Sequence, residues 1–238
     1  MEANRAEDFL NGQLLLIDKP KDWSSFQAVN AIKWAIRKQF GLKKIKVGHA
    51  GTLDPLATGL LLICTGKFTK KINELQGQHK EYTGTIFLGA TTPSYDLETD
   101  IDQEFPIAHI NETLLNEIKT SFIGEIAQVP PIFSALKKDG KRLYEYARDG
   151  VPVTIKSRNV RIFEFDIDSS NFPEIRFRVV CSKGTYIRSL AHDFGKAMQS
   201  GAYLSELRRT KIGSYNVDNA TSPENFKETL SVNGSLDS

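Results

Sequence analysis

The sequence predicts a chain of mixed strands and helices, and two observations carry that expectation. Strand candidates are short apolar or alternating runs: Gln13 to Asp18, Leu60 to Cys64, Glu81 to Gly89, Val153 to Asp168 and Glu174 to Cys181. Between them lie segments with apolar residues at helical spacing, the clearest being Ile187, Leu190, Ala191, Phe194 and Met198. Periodicity supplies this alternation of elements but not their arrangement. The 238 residues are enough to bury a sizeable core, and 40% hydrophobic with 25% charged residues is the composition of an ordinary soluble globular protein.

The N-terminal residues, MEANRAEDFLNGQ, are polar and lack a signal-peptide pattern. The first strand stops at Lys19-Pro20. Ser24 and Ser25 then offer N-caps to a helix carrying Val29, Ile32, Ile36 and Phe40 on one face, with Trp34 packed at its edge. Lys43, Lys44 and Lys46 lead into the stretch Val47 to Gly66, VGHAGTLDPLATGLLLICTG. Here a glycine-punctuated loop holds one carboxylate, Asp54. Pro55 pushes that residue towards extended backbone, and the apolar run Leu60 to Cys64 reads as a buried strand.

A helix is expected over Lys67 to Leu75, bearing Lys67, Lys70 and Lys71. The six lysines around the loop form either a solvated face or a phosphate contact. Tyr82 opens the strand Glu81 to Gly89. Asn111 to Phe122 reads as a helix buried through Leu114, Leu115, Ile118 and Phe122.

Gln128 to Gly150 interleaves aromatics with Lys137, Lys138, Lys141, Arg142 and Arg148, a pattern suited to RNA, where bases stack and phosphates need countercharge. Within it, Arg142 to Arg148 reads as an amphipathic helix with Leu143 and Tyr146 inward. Asn171-Phe172-Pro173 turns the chain between two antiparallel strands. In CSKGTYIRSLAHDFG, Thr185 is placed to cap a helix. Arg188 in its first turn opposes the helix dipole, which calls for an anionic partner. After Tyr215 the chain turns polar, and 231–238 is expected to be disordered.

The segment GHAGTLDPLATGLLLICTG resembles the catalytic motif of the TruB family, the tRNA pseudouridine-55 synthases. DKPKDWSSF is similar to that family's opening motif DKPxGxTS, with Asp22 in place of Gly and Ser24 in place of Thr. TTPSYDLETD partly matches a further segment, with Asp96 at a recurrent acidic position. GTYIR and LRRTKIG match the later ones, so the resemblance covers roughly residues 14–215.

The resemblance implies the α+β pseudouridine synthase fold: a mixed, mainly antiparallel central sheet flanked by helices and RNA-binding loops. It implies one catalytic domain over 1–238, with a thumb-like RNA-binding segment at about 125–152 and a short tail from about 216. The remaining chain is too short for the PUA-type domain of many relatives. The implied catalytic set is Asp54 as nucleophile, Tyr82 against the target base, and Arg188 paired with the catalytic carboxylate. His49, Tyr82, Tyr186, Leu207 and Lys19 would bind the nucleotide. Lys137, Lys138, Lys141, Arg142 and Arg208 would hold the RNA backbone. The substrate is uridine 55 in the T stem-loop of tRNA, flipped out for N1–C1′ cleavage, rotated and rejoined at C5. Attack at C6, attack at C1′ and a glycal route all stay open.

No cofactor is expected, and no C-x-x-C or H-E-x-x-H spacing suggests a metal. The two cysteines, Cys64 and Cys181, suit free buried thiols and a cytoplasmic location. No apolar stretch is long enough to span a membrane, and a monomer is expected. Two rival classes are an idle RNA-binding module, which would not need Asp54, Tyr82, Tyr186 and Arg188 together, and a Mg²⁺-dependent phosphohydrolase. The latter needs clustered carboxylates that Asp54 lacks in sequence.

Overall fold

The computed structural model describes residues 5–233. The elements are, in chain order, α1 (Ala6–Asn11), β1 (Leu14–Lys19), α2 (Ser25–Gln39), β2 (Val47–His49), β3 (Thr58–Thr65), a 3₁₀ turn (Gly66–Lys71), α3 (Ile72–Gly77), β4 (Lys80–Leu88), β5 (Ala90–Thr91), β6 (Gln103–Glu104), α4 (Glu112–Ser121), β7 (Gly124–Gln128), β8 (Lys137–Lys138), β9 (Lys141–Arg142), α5 (Leu143–Arg148), β10 (Arg158–Asn171), β11 (Glu174–Cys181), α6 (Ile187–Ala197), β12 (Ala202–Ile212), β13 (Tyr215–Asn216), a second 3₁₀ turn (Val217–Asn219) and α7 (Pro223–Asn233). No helix among the described residues is long and apolar enough to cross a membrane. The chain divides into two compact units, residues 1–82 with 208–238 and residues 83–207.

In the first unit β3 is the organising strand. β1 runs antiparallel to it from Leu14↔Cys64 to Lys19↔Gly59, and the start of this unit's share of β12 runs parallel to it at Arg208↔Thr58 and Arg209↔Gly59. The sheet is therefore mixed. Alternate β3 residues feed two cores. Leu61 and Ile63 join Ile17, Val29, Ile32, Ile36 and Phe226; Leu60, Leu62 and Cys64 join Ala50, Leu75, Ile212 and Val217. Burial on both faces explains why the run is continuously apolar rather than alternating. Gly59 has φ +104, and a Cβ there would lie 2.3 Å from the Arg209 carbonyl oxygen, so this parallel approach admits glycine alone.

The α2 N-terminus is a capping box. The Ser24 hydroxyl accepts from the Gln27 N–H at 3.1 Å, and the Gln27 side chain accepts from the Ser24 N–H at 2.7 Å. Trp34 departs from expectation: it is half exposed, with the ammonium groups of Lys38 and Lys227 at 5.0 and 5.6 Å from its ring centre. Its apolar surface is covered by cations rather than by core. The helix expected over Lys67 to Leu75 begins as the 3₁₀ turn and becomes α only at Ile72.

The stretch from 216, expected as a tail, contains α7. It lays Phe226 and Leu230 in the α2 core, and its first turn is held by the Ser222 hydroxyl, which accepts from Asn225 N–H at 3.0 Å. The disorder expected over 231–238 does not extend through 231–233, which α7 includes; 234–238 lie outside the described residues.

In the second unit the strand order is β12, β4, β11, β10, β7. β10 and β11 pair antiparallel, as the sequence predicts, and β10 also takes β7 antiparallel from Arg158↔Gln128 to Ile162↔Gly124. Phe165, Phe177, Phe194 and Phe122 interlock edge to face in this core. The whole expected stripe of α6 is buried. β8 and β9 form a hairpin around Asp139-Gly140, both at positive φ, the conformation that favours Asp-Gly in two-residue turns.

Candidate active site

Asp54 is half-buried on the loop between β2 and β3, and the backbone on both sides of it is tied down. Before it, the Ser25 hydroxyl donates to Leu53 O at 3.0 Å and accepts from Leu53 N–H at 2.8 Å. Further back, the almost fully buried Arg209 donates from Nη1 to Thr52 O (3.3 Å), from Nη2 to Gly51 O (3.1 Å) and from Nε to Leu60 O (2.8 Å). After it, Pro55 O accepts from Asp22 N–H (2.9 Å) and Lys19 Nζ (3.3 Å). Two segments far apart in sequence, Lys19 to Ser25 and Arg209, thus fix a loop of a few residues. A guanidinium suits this task because its planar fork serves several acceptors at once.

Lys19, where the first strand stops, is buried. It has no exposed surface, and Nζ donates also to Pro20 O (2.8 Å) and Trp23 O (2.5 Å). Burial pulls its pKa down from 10.5 to about 8, against the pull of the Asp54 charge in the opposite direction. His49 ends β2 and is half-buried; desolvation, with Arg209 adding to it, holds its pKa below the usual histidine value, so the ring is neutral near pH 7. Tyr82 is buried in β4. Arg208 sends Nη1 and Nη2 to the two carboxylate oxygens of Asp18 at 3.0 and 2.7 Å, a two-pronged pair, so its charge already has a carboxylate partner.

In the second unit Arg188 lies in the first turn of α6 and is 3% exposed. It does find a carboxylate: Nε lies 3.5 Å from Asp96 Oδ2, while Nη1 donates to Ser94 O (3.2 Å) and Nη2 to Phe133 O (2.8 Å). Asp96 is itself buried and accepts from Glu98 N–H at 3.0 Å. Tyr186, not Thr185, occupies the N-cap of α6, because the Thr185 hydroxyl turns back to Ser182 O. Fully buried Gln128 brackets Tyr186, accepting from its N–H at 2.8 Å and donating to its O at 3.1 Å; the Arg158 guanidinium stacks 4.6 Å from its ring centre. Leu207 is half-buried in β12.

Lys137, Lys138, Lys141 and Arg142 make up the β8–β9 hairpin. Lys141 is paired with Asp149, and Lys138 Nζ donates to Thr154 O at 3.1 Å. Lys137 has no partner among the described residues.

The candidate residues therefore fall into two sets. Asp54, His49, Lys19, Tyr82 and Arg208 belong to the first unit; Arg188, Tyr186, Leu207 and the basic hairpin belong to the second. Sequence reasoning missed Ser25 as more than a cap, Arg209 as a buried clamp, and Gln128 and Arg158 altogether. Their partners lie 26 to 158 residues away, so local pattern held no signal for them.

Two family models match the chain. The TruB family pseudouridylate synthase N-terminal domain covers residues 37–187, and the tRNA pseudouridylate synthase B C-terminal domain covers residues 188–236. The chain is 68% identical over 225 residues to tRNA pseudouridine synthase B of Flavobacterium johnsoniae, covering 94% of this chain and 98% of that one. It is 53% identical to the protein of the same name from Phocaeicola vulgatus, over 94% of this chain and 95% of that one. Among solved structures, a chain of a Cbf5-Nop10-Gar1 complex matches with TM-score 0.67 at 29% identity, over 92% of this chain and 54% of that chain. A chain of an H/ACA RNP bound to a substrate RNA containing 2′-deoxyuridine matches with TM-score 0.63 at 26% identity, over 92% and 53%. The fold is that of pseudouridine synthases.

Proposed function

Because the chain belongs to the TruB family of pseudouridylate synthases, we propose that it isomerises uridine 55 in the T-loop of tRNA to pseudouridine. The observation that supports this reading most is the clamped loop: one half-exposed carboxylate, Asp54, on backbone fixed by Arg209, Ser25 and Lys19. A nucleophile held this way meets the flipped nucleotide without first ordering itself. The buried ammonium of Lys19 sets a positive charge within the field of the Asp54 carboxylate. The reaction breaks N1–C1′ and forms C5–C1′; the hydrogen leaving C5 is balanced by one gained at N1, so nothing is consumed. Attack at C6 and attack at C1′ both use the same anion.

Tyr82 stacks on the uracil and takes part in the proton transfers. Tyr186 and Leu207 wall the pocket, His49 contacts the nucleotide, and Arg188 keeps the role the resemblance gives it. The basic hairpin Lys137–Arg142 grips RNA backbone. The enzyme works as a monomer in the cytoplasm, where the buried thiols of Cys64 and Cys181 stay reduced. The test is to incubate the purified protein with an unmodified tRNA transcript and map pseudouridine along it. A product at position 55 supports the reading; a tRNA left unmodified at that position ends it.

A further inference from the structure

A concave surface lies in the first unit, away from the Asp54 loop. It is an open cavity of about 600 Å³ at the C-terminal end of α2, floored by Leu10 and Ile45. Six exposed cations line it: Arg37, the loop lysines Lys43, Lys44 and Lys46, and Lys67 and Lys70 of the 3₁₀ turn. No carboxylate and no aromatic residue lines it. Lys43, Lys44, Lys46 and Lys70 have no hydrogen-bond or ion-pair partner among the described residues. Arg37 and Lys67 are held only by neutral oxygens, of Leu42 and Asn11.

Two elements of known rise measure how far this is from the catalytic loop. Ser25, which touches Leu53, opens α2, and Arg37 follows twelve residues later, roughly 18 Å along the helix axis. Gly59 lies at the loop end of β3 and Gly66 at the cavity end, roughly 23 Å apart at the rise of a strand. A flipped nucleotide at Asp54 does not reach the cavity.

Like charges crowded in one concavity repel each other and focus a positive potential, so the surface is built for an anion. Flexible ammonium groups suit phosphates as point charges. With no ring to stack a base, the wall reads the sugar-phosphate backbone and not sequence. We propose that this cavity is a second RNA contact, taking phosphates of the same tRNA at a segment remote from the nucleotide under reaction. This rests on the isomerase reading above.

The test is the triple variant Lys43→Glu, Lys44→Glu, Lys70→Glu, whose side chains are all exposed, so the fold should hold by thermal melting and circular dichroism. Binding to full-length tRNA is measured across salt concentrations, with turnover alongside. The expected result is a Kd weaker by about tenfold or more at low salt, a salt slope shallower by about 2–3, and a loss carried by KM rather than kcat. Unchanged affinity and slope would overturn the contact while leaving the isomerase intact. A drop in kcat at constant KM would also overturn it, because the cavity would then act on the catalytic loop. So would unaltered tRNA binding together with inorganic tripolyphosphate bound by the wild type and not by the variant, which would make the occupant a small phosphorylated ligand. Absence of pseudouridine from the wild-type reaction would sink the isomerase reading instead, separately from these binding results.

Discussion

The hydroxyl of Ser25 closes on both backbone groups of Leu53, donating to the carbonyl at 3.0 Å and accepting from the amide at 2.8 Å. One small side chain thus joins the first turn of α2 to the residue preceding Asp54. Ser25→Ala leaves a buried amide and carbonyl without this partner, a loss of about 1–3 kcal/mol. Denaturant unfolding should show that loss, and kcat should fall about tenfold as the carboxylate loses its fixed aim. A stability loss with full turnover would mean that the loop is held well enough by its other ties.

Arg209→Lys keeps the charge and removes the fork. A single ammonium cannot reach Gly51 O, Thr52 O and Leu60 O in the positions the guanidinium serves, so one or two buried carbonyls lose their donor. The expected outcome is a destabilisation of about 2–4 kcal/mol and at least a tenfold fall in kcat, with tRNA affinity nearly unchanged. A variant that lost tRNA binding but kept its kcat would show Arg209 to be a phosphate ligand instead.

Lys19 makes a pH prediction whose sign follows from its burial. Its folded pKa, about 8, lies below the ordinary 10.5. The penalty on the buried ammonium is fully present below about 8. Between about 8 and 10.5 the unfolded chain holds more protons than the folded one, and this group's contribution to stability rises with pH. Activity should move the other way. Above pH 8 the neutral amine has two N–H groups for three carbonyls, and Asp54 loses a neighbouring positive charge. A pH–rate profile should descend as pH passes about 8, and Lys19→Met should be slower throughout and lack that limb. A wild-type profile flat to pH 9.5 would remove Lys19 from the chemistry.

Lys137→Glu with Lys138→Glu reverses two exposed charges of the β8–β9 hairpin while sparing Lys141, which Asp149 already engages. Affinity for tRNA should weaken, with the salt slope smaller by about 2. Identical slopes in variant and wild type would show that the hairpin is not a thumb.

Asp54→Asn keeps the size of the side chain and removes its charge. Thermal stability should change little, because the loop is held through backbone groups of Gly51, Thr52, Leu53 and Pro55. Binding of tRNA should survive, since phosphate contacts carry it. Pseudouridine should fall below detection where the wild type completes the reaction. A folded, tRNA-binding variant with comparable turnover would show that Asp54 is not the nucleophile.

Local pattern was enough for which side of β3 and of α6 meets the core. The run Leu60 to Cys64 announced a strand buried on both faces, and the stripe from Ile187 to Met198 announced the buried side of α6. The Gly-Thr-Leu-Asp-Pro loop was legible as a stiff turn bearing one carboxylate, and its family resemblance supplied the chemistry. Tertiary structure decided whatever depends on a partner distant in sequence. Lys19 read locally only as the end of the first strand until the Trp23 and Pro55 carbonyls closed over it. Trp34 was expected to pack at the edge of the α2 apolar face and proved to lie half exposed under two ammonium groups. The polar stretch after Tyr215 hid a helix because two apolar residues, Phe226 and Leu230, suffice once α2 offers them a surface. Arg209 became a clamp through carbonyls 149 to 158 residues away. A side chain's own sequence neighbours fix its element and its face; the acceptor it finally meets is fixed by how the strands and helices pack.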